Sequence, residues 1–156
     1  MKCDAKTFAQ LYQTVYRDLY RFALCIMRHP QDAEDAVSEA VISAYQNVGK
    51  LRKQEAFKSW IFTILTNVCK KKLRSSAGQE KPLEEHEYAQ HTDMGLPLDV
   101  KKAFFILSEE ERLIVALSVF GGYNSKEIGR MYSLNANTVR SKRKRALEKM
   151  GCLLEH

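Results

Sequence analysis

The sequence predicts an all-α protein built as two small helical domains on a flexible linker. Apolar residues recur at helical spacing on both sides of residues 76–95, and no stretch of any length alternates as a strand would. Charge divides the chain in the same places. Residues 1–75 hold thirteen Lys/Arg against seven Asp/Glu, a net of +6. Residues 76–95 hold one Lys against five acids, a net of −4, and residues 96–156 hold eleven cations against seven acids, a net of +4. The middle segment also collects Gly78, Pro82 and Gly95 and lacks apolar periodicity, so it reads as an acidic linker. The expected units are therefore 1–75, 76–95 and 96–153. Leu154-Glu155-His156 reads as the start of a vector-encoded histidine tag, outside the functional reading.

In the first domain, Phe8, Leu11, Tyr12, Val15, Leu19, Phe22 and Ile26 mark a helix that must stop before Pro30. A second helix is expected from about Asp32, with Ala33, Ala36, Val37, Ala40, Val41, Ala44 and Tyr45 on its apolar stripe. Asp32, Glu34 and Asp35 fall in the expected first turn, where the helix dipole favours acids. A loop over residues 47–53 leads to a third helix that turns Phe57, Trp60, Ile61, Ile64, Leu65 and Val68 inward. Its polar face is mostly basic, with Lys58, Thr63, Asn67, Lys70, Lys71 and Arg74.

The second domain opens with a helix over about 98–107. Ser108 with Glu111 forms a capping box for the next helix, which Gly121-Gly122 ends. Asn124 with Glu127 starts a short helix bearing Ile128, Met131 and Tyr132. Residues 133–137 form a turn with an Asn placed to cap a final helix. That helix seats itself by Val139, Ala146, Leu147 and Met150 and carries Arg140, Lys142, Arg143, Lys144 and Arg145 elsewhere. Two helices joined by a tight turn, the second loaded with cations, suit insertion into the DNA major groove. A charge run alone would be an ordinary solvated face; the two-helix grammar favours nucleic acid.

The remaining signals exclude more than they suggest. A pI near 9.1 fits a polyanionic partner. No apolar run approaches the twenty residues of a membrane span, and the amino terminus lacks a signal-peptide core, so a cytoplasmic protein without membrane insertion is expected. Cys3, Cys25, Cys69 and Cys152 are scattered without a CxxC pair; Cys25 and Cys69 read as small hydrophobes of a reduced protein. His86 and His91 lack metal-ligand spacing. Ser75-Ser76 and Cys3 offer no nucleophile–base arrangement, and there is no glycine-rich phosphate loop. No catalytic residue, metal or cofactor is expected.

Three segments taken together, DAEDAVSEAVISAY (32–45), FKSWIFTILTNVCKKKLRS (57–75) and LSEEERLIVALSVFGGYNSKEIGRMYSLNANTVRSKRKRALEKM (107–150), resemble the bacterial sigma-70 family in its compact extracytoplasmic-function (ECF) subgroup. The resemblance implies a three-helix region 2 domain and a four-helix region 4 domain. It implies RNA polymerase core as partner, through the clamp of the largest subunit and the flap of the second largest, with promoter DNA as ligand and an anti-sigma factor as regulator. On the clamp it places Asp32, Glu34, Asp35 and Glu39. On the minus-ten element it places Lys50, Arg52 and Lys53 of the loop and Lys58, Asn67, Lys70 and Lys71 of the third helix. On the minus-thirty-five element it places Thr138, Arg140, Ser141, Lys144 and Arg145.

Trp60 could stack an unpaired base, but its place on the apolar stripe favours the core. The chain departs from the family pattern at Ser38, where Gln is usual, and at Lys71, where Asp is frequent. It departs again at Ser133, a frequent turn Gly, and at Arg143, usually apolar, whose stem is expected along the core. Two other readings stay open: a stand-alone helix-turn-helix regulator, and a sigma-like polymerase-binding adaptor without promoter activity.

Overall fold

A computed structural model describes residues 4–75 and 96–154. The acidic linker and the last two residues of the expected tag lie outside this range. The described residues form seven α-helices and no strand.

Helix α1 (Ala5–Met27) starts at Asp4, whose carboxylate accepts from the Thr7 N–H at 2.8 Å. It ends at Arg28, in the left-handed region at φ 68°, ahead of Pro30 as expected. Helix α2 (Pro30–Gln46) begins two residues before the expected start. Pro30 occupies its first turn, where the missing N–H costs nothing. As a result only Asp32 lies in the first turn. Glu34 and Asp35 sit further in, where the dipole is weaker. Two short 3₁₀ turns, Val48–Lys50 and Gln54–Ala56, flank the buried Leu51 in the loop before α3 (Phe57–Ser75). The three helices close around Leu19, Phe22, Ile61, Phe62 and Leu65, none more than 1% exposed. Trp60 packs partly buried against Phe57, with ring centroids 6.2 Å apart. Tyr45, expected inside, is 48% exposed. Ala33, Ala36, Val37, Ala40 and Ala44 already fill the inward stripe, and Tyr45 follows Ala44 about 100° further round.

In the second half, α4 (Leu98–Phe105), α5 (Glu109–Val119), α6 (Ser125–Tyr132) and α7 (Ala136–Leu154) pack around Phe104, Ile114, Leu117, Ile128 and Val139. The Ser108–Glu111 capping box forms with both reciprocal bonds. After α5, Gly122 takes φ 74° in the turn toward α6. Val139, Ala146 and Met150 seat α7, but Leu147 is 47% exposed. It projects about 100° away from Ala146, beyond the edge of the stripe. Arg143 is half-buried beside that stripe, as its stem was expected to be.

The two halves also pack on each other, α1 against α4 and α5. Six consecutive residues of α1, Phe22 to Met27, are buried, and so are six of α5, Arg112 to Leu117. A helix buried all round has partners on every side. Both runs are visible in the sequence as unbroken apolar stretches (FALCIM and LIVAL), and they mark the seam that single-stripe periodicity misses.

Candidate nucleic-acid interface

The α6–α7 unit is assembled by local chemistry. Asn124 Oδ1 accepts from the Glu127 N–H at 2.8 Å, while Glu127 Oε1 accepts from the Asn124 N–H at 3.0 Å. This capping box fixes where α6 begins. At its other end the Leu134 N–H donates to the Gly129 carbonyl at 2.8 Å, folding the turn back over the helix. A Cβ on Gly129 would stand 2.6 Å from the Leu134 carbonyl oxygen, so the turn needs glycine there. Ser133 closes the turn in the left-handed region at φ 56°, the conformation for which related turns use glycine. Asn135 caps α7, accepting from the Asn137 N–H at 2.8 Å.

On α7 the five residues expected at the minus-thirty-five element, Thr138, Arg140, Ser141, Lys144 and Arg145, are all exposed. The Arg140 guanidinium donates to Asn137 Oδ1 one turn earlier, which orients it along the helix. Two neighbouring cations are engaged by acids of α5 instead. Lys142 Nζ lies 2.6 Å from Glu110 Oε2, and Lys149 Nζ 2.9 Å from Glu111 Oε2. These pairs and Arg145 line an open cleft of about 300 Å³ between α5 and α7. The two pairs add to the buried Val139, Ala146 and Met150 in holding α7 on α5. Burial pushes the Glu111 carboxyl up, but bonds from Ser108 and Lys149 outweigh it and hold the carboxyl below its ordinary value.

The residues expected at the minus-ten element are distributed less evenly. Lys50, Arg52 and Lys53 are exposed on the loop, held by the anchor Leu51. Asn67 and Lys71 are exposed together on α3. Lys58 stands apart, about half a turn round the helix from Asn67. Its ammonium pairs with Asp18 Oδ2 on α1 at 3.5 Å. Lys70 is half-buried, with its Nζ 3.6 Å from the ring centroid of Tyr132. Burial, and then the nearby Arg74, lower its pKa.

The acids of α2 form a third surface. Glu34, Asp35 and Glu39 are exposed and Asp32 is half-buried. Asp35 accepts from Gln31 Nε2 at 3.1 Å, and Glu39 pairs with Lys72 of α3 at 3.3 Å. Beside them Ile42 (59% exposed) and Tyr45 continue the same face, with Ser38 between. Sequence reasoning missed this apolar half of the surface. Ile42 lies four residues after Ser38 and three after Glu39, so helical geometry puts it with the acids rather than with the alanines.

Among the described residues no cluster of His, Cys, Asp and Glu could hold a metal ion. Within the same residues no helix is long and apolar enough to cross a membrane.

A helical DNA-binding protein in two parts, with a helix-turn-helix in the second, is the class that this fold and these surfaces define. Residues 11–78 match the family described as Sigma-70 region 2, and residues 103–150 match Sigma-70, region 4. The chain is 32% identical over 154 residues to the ECF RNA polymerase sigma factor SigM of Mycobacterium tuberculosis, covering 97% of this chain and 79% of that one. It is 27% identical over 143 residues to the RNA polymerase sigma factor SigV of Bacillus subtilis, covering 86% and 82%. The chain therefore belongs to the ECF group of RNA polymerase sigma factors. In fold it is similar to the sigma factor RpoE of Bartonella quintana, solved in complex with the anti-sigma factor NepR. That match has a TM-score of 0.77 and 23% identity, over 97% of this chain and 98% of the other.

Proposed function

We propose that this alternative sigma factor binds RNA polymerase core in the cytoplasm, docks on the minus-thirty-five element of its promoters and melts the minus-ten element. The acid face of α2, with Ile42 and Tyr45 beside it, docks on the clamp of the largest subunit. The second domain meets the flap of the second largest. The exposed face of α7 reads the minus-thirty-five element: Arg140 and Arg145 suit bidentate bonds to guanine, while Lys144 and Thr138 suit phosphates. The loop cations, with Asn67, Lys70 and Lys71, track the melted minus-ten strand, where unpaired DNA needs a basic path. Catalysis belongs to the polymerase; this chain supplies recognition. An anti-sigma factor is the proposed regulator, in keeping with the NepR complex of the related RpoE.

The observation that carries this reading is the division of labour on α7. One narrow stripe is buried, two lysines are tied to α5, and Arg140, Lys144 and Arg145 stand exposed in a separate row. The test is reconstituted transcription from sheared genomic DNA with purified polymerase core, with transcript starts sequenced. Starts that share two upstream elements and vanish without the protein are expected. Binding to core without specific starts would favour an adaptor, and neither binding nor starts would favour a stand-alone regulator.

A further inference from the structure

The first turn of α7 carries one more polar side chain beside Arg140. Asn137 is the second residue of the helix and is exposed, as are Thr138, Arg140 and Ser141. Its backbone is pinned by the cap, since the Asn137 N–H donates to Asn135 Oδ1 at 2.8 Å. Its side chain reaches forward one turn, where Oδ1 accepts from Arg140 Nη1. Residues three apart on a helix are neighbours, so this pair forms within α7 before any ligand arrives.

We propose that Asn137 is a positioning residue for promoter reading, which holds the Arg140 guanidinium edge-on to a guanine of the minus-thirty-five element. The inference rests on the proposed placement of α7 in the major groove. An arginine on a helix surface samples many rotamers, and ordering it on binding costs free energy. The tether removes part of that cost in advance. It engages Nη1, so the edge formed by Nε and Nη2 is left to bond guanine N7 and O6 together. The N-terminal residues of a recognition helix are the ones that reach base edges, and Asn137 and Arg140 both stand in the first two turns of α7. A neutral partner also leaves the charge of Arg140 whole, whereas Glu110 and Glu111 neutralise Lys142 and Lys149. The rival arrangement has Asn137 read adenine itself, with Oδ1 accepting from the adenine amino group. The guanidinium already on Oδ1 sets positive charge against that group. The pair as built is rich in donors and fits guanine.

Selection from a random duplex library, by the full chain alone and together with polymerase core, is the test. Wild type should select a guanine whose preference over adenine disappears in Arg140→Ala. Asn137→Ala should weaken that preference about fivefold, within the discrimination that one bidentate pair supplies. Asn137→Asp is the rescue variant. Its carboxylate holds the guanidinium at least as well and suits the first turn of a helix, so guanine stays preferred while overall affinity falls beside the phosphates. Replacing the selected guanine with 7-deazaguanine, which lacks the N7 acceptor, should cost wild type and Asn137→Asp several-fold and Asn137→Ala little. The melting temperatures of both variants should stay near wild type, because an exposed pair one turn apart adds little to stability. A guanine preference that needs Arg140 but survives in full in Asn137→Ala would overturn the inference and leave the placement of α7 standing. An adenine preference lost in both Asn137 variants would make the residue a direct reader and overturn its positioning role. Selection of no sequence that depends on Arg140 would overturn this inference together with the placement of α7.

Discussion

Single residues set how well the DNA-reading half is held together. Ser133 holds a left-handed backbone with a Cβ that the conformation disfavours. Ser133→Gly removes that strain, partly offset by the greater freedom of unfolded glycine. It should stabilise the protein by about 0.5–1 kcal/mol, read as a higher denaturant midpoint at unchanged slope. Glu111 contributes differently, because it both completes the α5 capping box and holds Lys149 of α7. Its carboxyl titrates below its ordinary value of 4.5 in the folded protein. A depressed carboxylate gives stability that is fully present above the unfolded pKa and lost as pH falls through the folded one. Glu111→Gln should therefore be less stable than wild type at neutral pH, and the gap should narrow as unfolding is measured at progressively lower pH beneath 4.5.

At the scale of elements, α7 makes the sharpest forecast, because its cations do different work. Arg140→Ala and Arg145→Ala should each weaken promoter binding by roughly 1–3 kcal/mol where they meet bases. Lys142→Ala should cost promoter binding much less, since that ammonium is held by Glu110 at 2.6 Å. Promoter titrations of the three variants side by side decide this; equal losses would mean that the Lys142–Glu110 pair breaks on DNA. The helices themselves were legible wherever the signal was local. The Ser108–Glu111 and Asn124–Glu127 boxes, and the stop before Pro30, act within four residues, so sequence suffices. Leu147 and Tyr45 were misread because periodicity gives the direction of a face but not its width. On α2 the alanines and Val37, and on α7 Val139, Ala146 and Met150, had already filled the inward stripe. The seam was illegible for another reason: FALCIM and LIVAL announce helices buried all round, while the identity of the second partner is a long-range fact.

At the scale of the whole molecule, the exposed acids of α2 and the exposed cations of α7 stand on separate helices. The acids Glu34, Asp35 and Glu39 line α2, and Arg140, Lys144 and Arg145 line α7. Two partners of opposite sign can thus be steered to one small protein without competing for it. The arrangement predicts that the two binding events can be broken one at a time. Asp35→Arg with Glu39→Arg inverts the α2 surface. Its structural cost should stay small, because the exposed Glu39–Lys72 pair at 3.3 Å is of a kind worth about 0–1 kcal/mol. Association with polymerase core on a sizing column should collapse, while the melting temperature and the affinity of α7 for duplex promoter DNA stay near wild type. Undiminished association would move the docking face away from α2. Loss of both activities together would mean that α2 and α7 communicate through the seam, since α1 touches α2 on one side and α5 on the other.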